Sequence, residues 1–297
     1  MRIRPFEYHF AATLEDALTQ LSRYGPEGKV LAGGTDLVLA MKHKKVLPRH
    51  VISLRKVGDL AYILEDAERL RIGALATHSQ ICGNDTLRRR TPALWQAVSL
   101  IGSWQIRNIA TIGGNLCNAS PAADSAPPLL ALDARVVIAD IKGEKEVPVS
   151  SFFTGPGATV LSPDQLLKEI IIEPPDPQSA GCYLKLMRKK AVDLALVGVA
   201  FQGQIDDSGK RLSGVEIGLG GVAPTPIRAR GAEAILNGLE YRDALKALPD
   251  AARAAVKETS PITDIRATAE YRKAIVEVFV RRAGEKALKA LFEQGGE

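Results

Sequence analysis

The first regular spacing of apolar positions along the chain is Leu14, Ala17, Leu18 and Leu21, the i, i+3, i+4, i+7 pattern of one helix face. Thr13 stands at the N-cap with Asp16 three residues on, and Gly25-Pro26 ends the helix. A short run, Lys29 to Leu31, predicts a strand leading into the first glycine pair. Helical periodicity resumes over Asp36 to Lys42, and His50 to Leu54 predicts another strand, so the opening segment reads as a βαβ-like unit. Between its first strand and its second helix sits Ala32-Gly33-Gly34-Thr35. Free N–H groups and the helix dipole favour anions at such a junction.

From about residue 58 the pattern changes to alternating stretches, Tyr62 to Glu65 and Leu70 to Gly73, which predict strands. Thr91-Pro92 opens a helix that Gly102 closes. After Gln105-Ile106-Arg107-Asn108 comes a second glycine loop, Thr111-Ile112-Gly113-Gly114-Asn115. Arg135 to Ala139 and Ile170 to Ile172 are β-branched runs. Pro174, Pro175 and Pro177 then form a linker, since proline this dense resists helix and sheet alike. Beyond it, Tyr183 to Met187, Val197 to Gln202 and Leu212 to Leu219 predict a three-strand sheet, with a turn at Asp206-Asp207-Ser208-Gly209. The chain closes in helices over Arg228 to Leu236, stopped by Asn237-Gly238, over Arg242 to Lys257, divided at Pro249, and over Ala267 to Phe292. The fold class is α+β in three parts, residues 1–57, 58–175 and 178–297, with no internal repeat.

Composition narrows the function. The 297 residues are 46% hydrophobic and 25% charged, ordinary globular values. A net charge of +5 is spread along the chain, its short clusters at Lys42 to Lys45 and Arg88 to Arg90 reading as solvated surface. Aromatics are only 5%, which argues against nucleic-acid binding. The longest apolar run, Leu194 to Phe201, is eight residues, and the N-terminal segment has no apolar core of a signal peptide. Cys82, Cys117 and Cys182 are scattered, so neither a disulfide framework nor an iron–sulfur cluster held by this chain is expected, and a cytoplasmic location follows. His9, His43, His50 and His78 show no metal-ligand spacing, and none suggests a covalent flavin link. No paired carboxylates or nucleophile triad suggests substrate chemistry on this chain.

The two glycine pairs carry the candidate chemistry. Glycine tolerates positive φ and lacks a Cβ, so consecutive glycines let backbone N–H groups converge on one anion. Two such loops suggest one long phosphate-containing ligand. The first has neither the GxGxxG spacing of a dinucleotide-binding turn nor the GxxxxGK of a P-loop.

The block Lys29-Val30-Leu31-Ala32-Gly33-Gly34-Thr35-Asp36-Leu37, followed by the block from Gln105 through Thr111-Ile112-Gly113-Gly114-Asn115 to Ala119-Ser120-Pro121 and Asp124, resembles the FAD-binding medium subunit of molybdenum hydroxylases. That family covers xanthine dehydrogenases, aerobic carbon monoxide dehydrogenase and related N-heterocycle or aldehyde oxidoreductases, and the resemblance extends over nearly the whole chain. It implies two FAD-binding subdomains of the PCMH or vanillyl-alcohol-oxidase-like type, 1–57 and 58–175, and a C-terminal flavoprotein domain, 178–297, of antiparallel sheet and helical bundle. By the resemblance, Val30 through Leu37 and Thr111 through Asn115 wrap the FAD pyrophosphate, with backbone donors from the glycines and side-chain bonds from Thr35, Thr111 and Asn115. Asp124 either accepts from the adenosine ribose or caps a helix before Ser125. Ile101 and Leu167 either pack on the cofactor or belong to the core. Lys185 either lies near the flavin or is an exposed strand lysine, and Asp193 is either a cofactor neighbour or the start of a strand. A related branch carries a four-cysteine inserted loop for an extra iron–sulfur cluster, and this sequence lacks it.

The implied function is electron transfer. A large partner would hold a molybdopterin cofactor and hydroxylate substrate. A small partner would carry two [2Fe-2S] clusters that feed electrons to FAD on this chain, in a dimer of heterotrimers. NAD, a quinone, a redox protein or oxygen would be the acceptor. The competing expectations are a self-contained FAD-dependent oxidoreductase, which needs an acid or base over the flavin, and a scaffold that has lost flavin.

Overall fold

A computed structural model describes residues 3–66, 69–173, 176, 178–189, 192–206 and 208–294. The proline linker at Pro174, Pro175 and Pro177 and the turn residue Asp207 lie outside the described residues.

The first sheet is parallel. β1 (Glu7–Phe10), β2 (Gly28–Leu31) and β3 (His50–Ser53) run in the order β1-β3-β2, with α1 (Leu14–Tyr24) and α2 (Leu37–Lys42) as the crossovers. The Thr13 hydroxyl accepts from the Asp16 N–H at the expected N-cap, and Leu18 and Leu21 pack with Ile52 beneath the helix. β1 went unforeseen: Glu-Tyr-His-Phe alternates over four residues only, and its aromatic side chains Tyr8 and Phe10 are exposed on an edge rather than buried in a core.

The second sheet is antiparallel. It uses β4 (Ile63–Glu65), β5 (Leu70–Gly73), β6 (Arg135–Asp140), β7 (Gly143–Pro148) and, past a small ribbon of β8 (Phe153–Gly155) and β9 (Ala158–Thr159), the central β10 (Leu166–Ile172), in the order β4-β5-β10-β6-β7. The segment between β5 and β6 is helical: α3 (His78–Cys82), α4 (Asp85–Arg90), α5 (Pro92–Ser99), α6 (Trp104–Arg107), α7 (Ile112–Cys117) and α8 (Ala126–Ala131). The apolar sides of all but α6, whose Trp104 and Ile106 are exposed, join Ile72, Val136 and Ile170 in one core.

The third sheet has four strands rather than the expected three: β11 (Ser179–Leu186), β12 (Val197–Ile205), β13 (Leu212–Gly220) and the two-residue β14 (Ile227–Arg228), in that order. So short a strand carries no periodicity to read. α9 (Arg230–Leu236), α10 (Tyr241–Lys257) and α11 (Ala269–Gln294) cover this sheet. The expected break at Pro249 is absent and α10 runs through it. Interior proline costs about 3 kcal/mol, but Leu248, Ala251, Ala252 and Ala255 on either side of it are all fully buried where α10 packs on α9 and α11, which offsets that cost.

α8 locks the second unit to the third sheet. A Cβ on Gly218 would lie 2.0 Å from the Pro127 carbonyl oxygen, and the Gly221 N–H donates to Pro121 O at 2.7 Å. That contact fixes β11, and therefore Lys185, relative to the helices carrying the second glycine motif.

Candidate cofactor site

The two glycine motifs meet. The first leaves the carboxyl end of β2, where Gly33 lies so close to the other motif that a Cβ on it would fall 1.9 Å from Ile109 O and 3.1 Å from Ala110 Cα. Asn118 Nδ2 also reaches Asp36 Oδ1 at 3.4 Å. Gly34 turns the chain at φ +79°, a conformation that favours glycine. Among the described residues, no backbone N–H from Gly33 to Leu37 donates to a protein acceptor, so five consecutive donors stand unpaired at the start of α2.

The second motif is built differently, and one expectation about it is corrected. Its glycines lie in the first turn of α7, not in an open loop. Residues 110–113 pair with the segment before α3: His78 N–H donates to Ala110 O, Ile112 N–H to Ala76 O and Gly113 N–H to Ala74 O. The Gly114 N–H donates to the N-cap hydroxyl of Thr111, and the Asn115 N–H to Thr111 O. The donors of Gly113 and Gly114 are thus engaged inside the protein, because the motif doubles as a helix start. Gly113 is required by packing, since a Cβ there would lie 2.6 Å from Ala74 Cβ. Gly114 faces open space apart from Thr111 Oγ1.

Side chains converge from the other direction. Ser125 donates to Asn115 Oδ1 at 2.6 Å, holding the next carboxylate, Asp124, beside α7. Asp124 is buried and accepts from Tyr183 Oη at 2.8 Å and from Lys185 Nζ at 2.8 Å. The Lys185 side chain is fully buried, which removes the exposed-lysine alternative, and its ammonium also donates to Leu100 O, next to Ile101. Burial pushes the Asp124 carboxyl above its ordinary range, opposed by Lys185 and Tyr183. The same burial, with Asp124 adjacent, raises the Tyr183 phenol. Asn115, Asp124, Lys185 and the carbonyl beside Ile101 therefore form one connected neighbourhood.

Other expected residues contribute backbone or core. Val30, Leu31 and Leu37 pack their side chains in apolar clusters, and Leu167 is buried on β10 in the cluster that holds Ile112 and Leu116. Ile101 is half-buried against that cluster, and its carbonyl accepts from Arg107 Nη1 at 2.8 Å. Asp193 caps its own turn, accepting from the N–H groups of Arg188 and Leu194, ahead of β12. Tyr183, Ser125 and the buried pair His78 and Arg107 were not singled out from the sequence. Tyr183 was legible in principle, because it stands two residues before Lys185 and so shares its strand face.

An open row of N–H donors, close backbone approach at Gly33, a clear face at Gly114 and the amide of Asn115 are the donor set a pyrophosphate requires. Residues 4–175 match the family model for the FAD binding domain in molybdopterin dehydrogenase, and residues 182–287 match the CO dehydrogenase flavoprotein C-terminal domain. This chain belongs to the FAD-binding medium subunits of molybdenum hydroxylases. It is 33% identical over 285 residues to the xanthine dehydrogenase FAD-binding subunit of Escherichia coli O157:H7, covering 95% of this chain and 96% of that one. It is 32% identical to the carbon monoxide dehydrogenase medium chain of Hydrogenophaga pseudoflava over 94% of this chain and 95% of that one.

Among solved structures, the carbon monoxide dehydrogenase of H. pseudoflava lacking the Mo-pyranopterin moiety superposes with a TM-score of 0.92 at 32% identity, covering 98% of this chain and 99% of that one. Quinoline 2-oxidoreductase from Pseudomonas putida 86 superposes at 0.90 with 26% identity, covering 98% and 100%. The medium-subunit architecture, an FAD-binding region followed by a sheet covered with helices, is the α+β fold expected. Among the described residues, no helix is long and apolar enough to cross a membrane.

Proposed function

We propose that this medium subunit binds FAD with the pyrophosphate on the Gly33-to-Leu37 donors, bracketed by Gly114 and Asn115, and relays electrons from a partner subunit to an external acceptor. The observation that carries the reading is the row of unpaired N–H groups that begins at Gly33, the residue in backbone contact with Ile109 just ahead of the second motif. Each hydrogen bond to a charged phosphate contributes about 1.5–3 kcal/mol, so several hold the cofactor without a covalent link. Thr35 and Thr111 add hydroxyls, and Val30, Leu31, Ala32, Ile112 and Gly113 set the backbone that carries them. Asp36 lies close enough to Asn118 to fasten the first motif to α7.

Asp124 and Lys185 act together in this reading. Asp124 holds the ammonium at a fixed position between α5 and β11, and its second lone pairs remain available to ribose hydroxyls. Lys185 presents positive charge to the site from behind that carboxylate. Flavin, when bound, couples single-electron donors to a two-electron acceptor, and the protein supplies binding, orientation and electrostatics. Substrate hydroxylation belongs to a large molybdopterin subunit, and a small subunit with two [2Fe-2S] clusters feeds this chain within a dimer of heterotrimers. Residues 1–57 and 58–175 are the two FAD-binding subdomains, and 178–297 the C-terminal domain.

Purifying the chain alone and with the products of its neighbouring genes tests this. Acid-released FAD near one per chain, with iron–sulfur absorbance only when partners co-purify and flavin reduction only in the complex, is the expected outcome. Steady turnover of a small substrate by the isolated chain would overturn the relay assignment.

A further inference from the structure

Strand pairing assembles a second cluster of ligand-bearing side chains that sequence spacing does not reveal. In the parallel pair of β1 and β3, Glu7 stands opposite His50 and His9 opposite Ile52, so Glu7, His9 and His50 share one face. Tyr24, the last residue of α1, lies over that face. Its ring stacks 3.9 Å from His50 at 16° and 4.7 Å from His9 at 25°. Gly28, opposite His50 on β2, leaves room for it, since a Cβ there would lie 3.2 Å from Tyr24 Cβ. The cluster occupies the amino end of the strands, whereas the glycine motif leaves the carboxyl end of β2.

Three ligand atoms converge there. His9 Nε2 is 3.1 Å from His50 Nδ1, and Glu7 Oε2 is 3.3 Å from His50 Nδ1 and 3.7 Å from His9 Nε2. A triangle with those edges has a circumradius of about 2.0 Å, close to a zinc–nitrogen or zinc–oxygen bond length. Two imidazoles and a carboxylate suit zinc, cobalt, nickel or copper rather than magnesium or calcium. The imidazoles are held by the Tyr24 stack, and the more exposed Glu7 leaves the outer side open to water as a fourth ligand.

We propose that Glu7, His9 and His50 bind one divalent transition-metal ion of the zinc and cobalt class, pinning β1 to β3. β1 is a four-residue edge strand, and the ion would join side chains 41 residues apart in sequence. Metal that binds the folded arrangement and not the unfolded chain stabilises the fold by linkage.

The test uses the untagged full chain, stripped with chelator and titrated with Co²⁺ and then Zn²⁺. One equivalent of Co²⁺ with the d–d absorbance of a four-coordinate site, displaced by Zn²⁺, and a higher melting temperature with Zn²⁺ are expected. Glu7→Gln, at a mostly exposed position, should weaken Co²⁺ binding by about tenfold or more with an unchanged metal-free melting temperature. His9→Gln with His50→Gln should abolish it, and His43→Gln should leave it intact. No stoichiometric Co²⁺ binding at submillimolar metal would overturn the proposal and leave a His9–His50 hydrogen bond. Undiminished binding in Glu7→Gln and in the double histidine variant would overturn it equally.

Discussion

Gly33 and Ile109 are in such close contact that a Cβ on Gly33 would sit 1.9 Å from the Ile109 carbonyl oxygen. The obstacle is backbone, so no rotamer change relieves it. Gly33→Ala should therefore separate the two motifs, with loss of bound FAD and a stability cost of about 1–3 kcal/mol from overpacking. Flavin content and chemical denaturation of the same preparation read both effects. Full occupancy with wild-type stability would show that the motifs need not touch.

The adjacent glycines of α7 should behave differently from each other. At Gly113 a Cβ meets Ala74 Cβ at 2.6 Å and Ala74 O at 2.7 Å, so Gly113→Val is expected to be a folding defect, at about 2 kcal/mol or more. At Gly114 a Cβ meets only Thr111 Oγ1, at 2.9 Å, a side chain that can shift. Gly114→Val should fold with near-normal melting temperature yet retain little FAD, because its branch projects toward the proposed phosphate. Equal stability losses at the two positions, or full flavin on Gly114→Val, would refute that placement.

These contrasts mark where the sequence was informative. Local signals were legible: the Thr13 cap, the Gly33-Gly34 turn, the alternation in β5 and the apolar run of β12 each act within a few residues. What escaped depends on tertiary partners. The N–H groups of Gly113 and Ile112 bond Ala74 and Ala76, almost forty positions upstream, and no local pattern says which donors a helix start keeps free. Pro249 was read as a break because its missing N–H is local, whereas the burial that holds α10 together comes from α11 and α9. Asp124 and Lys185 were legible individually through the family resemblance. Their mutual ion pair, 61 residues apart, was not.

That ion pair is largely shielded from solvent: the Lys185 side chain is 0% exposed and that of Asp124 8%. Removing one partner leaves an uncompensated buried charge, which costs about 3–5 kcal/mol. Lys185→Met should be destabilised by that order, whereas Lys185→Met combined with Asp124→Asn should recover most of the loss. Equilibrium unfolding in denaturant, arranged as a double-mutant cycle, gives the coupling directly. A Lys185→Met cost below about 1 kcal/mol, the value for exposed pairs, would contradict the burial.

His78 gives the fold a pH dependence next to the second motif. Its backbone N–H donates to Ala110 O, its side chain is buried, and burial together with the Arg107 charge lowers the imidazole pKa to about 4. In the unfolded chain histidine titrates near 6.5. Between the two values the unfolded state binds the extra proton, so the stability contributed by a neutral His78 is present above about pH 6.5 and is lost as pH falls toward 4. The whole shift corresponds to about 3 kcal/mol. His78→Gln cannot titrate and should flatten the stability profile across that interval, whatever its offset at neutral pH. Unfolding free energies at half-unit pH steps for both proteins check this, and parallel profiles would show that His78 is not the group responsible.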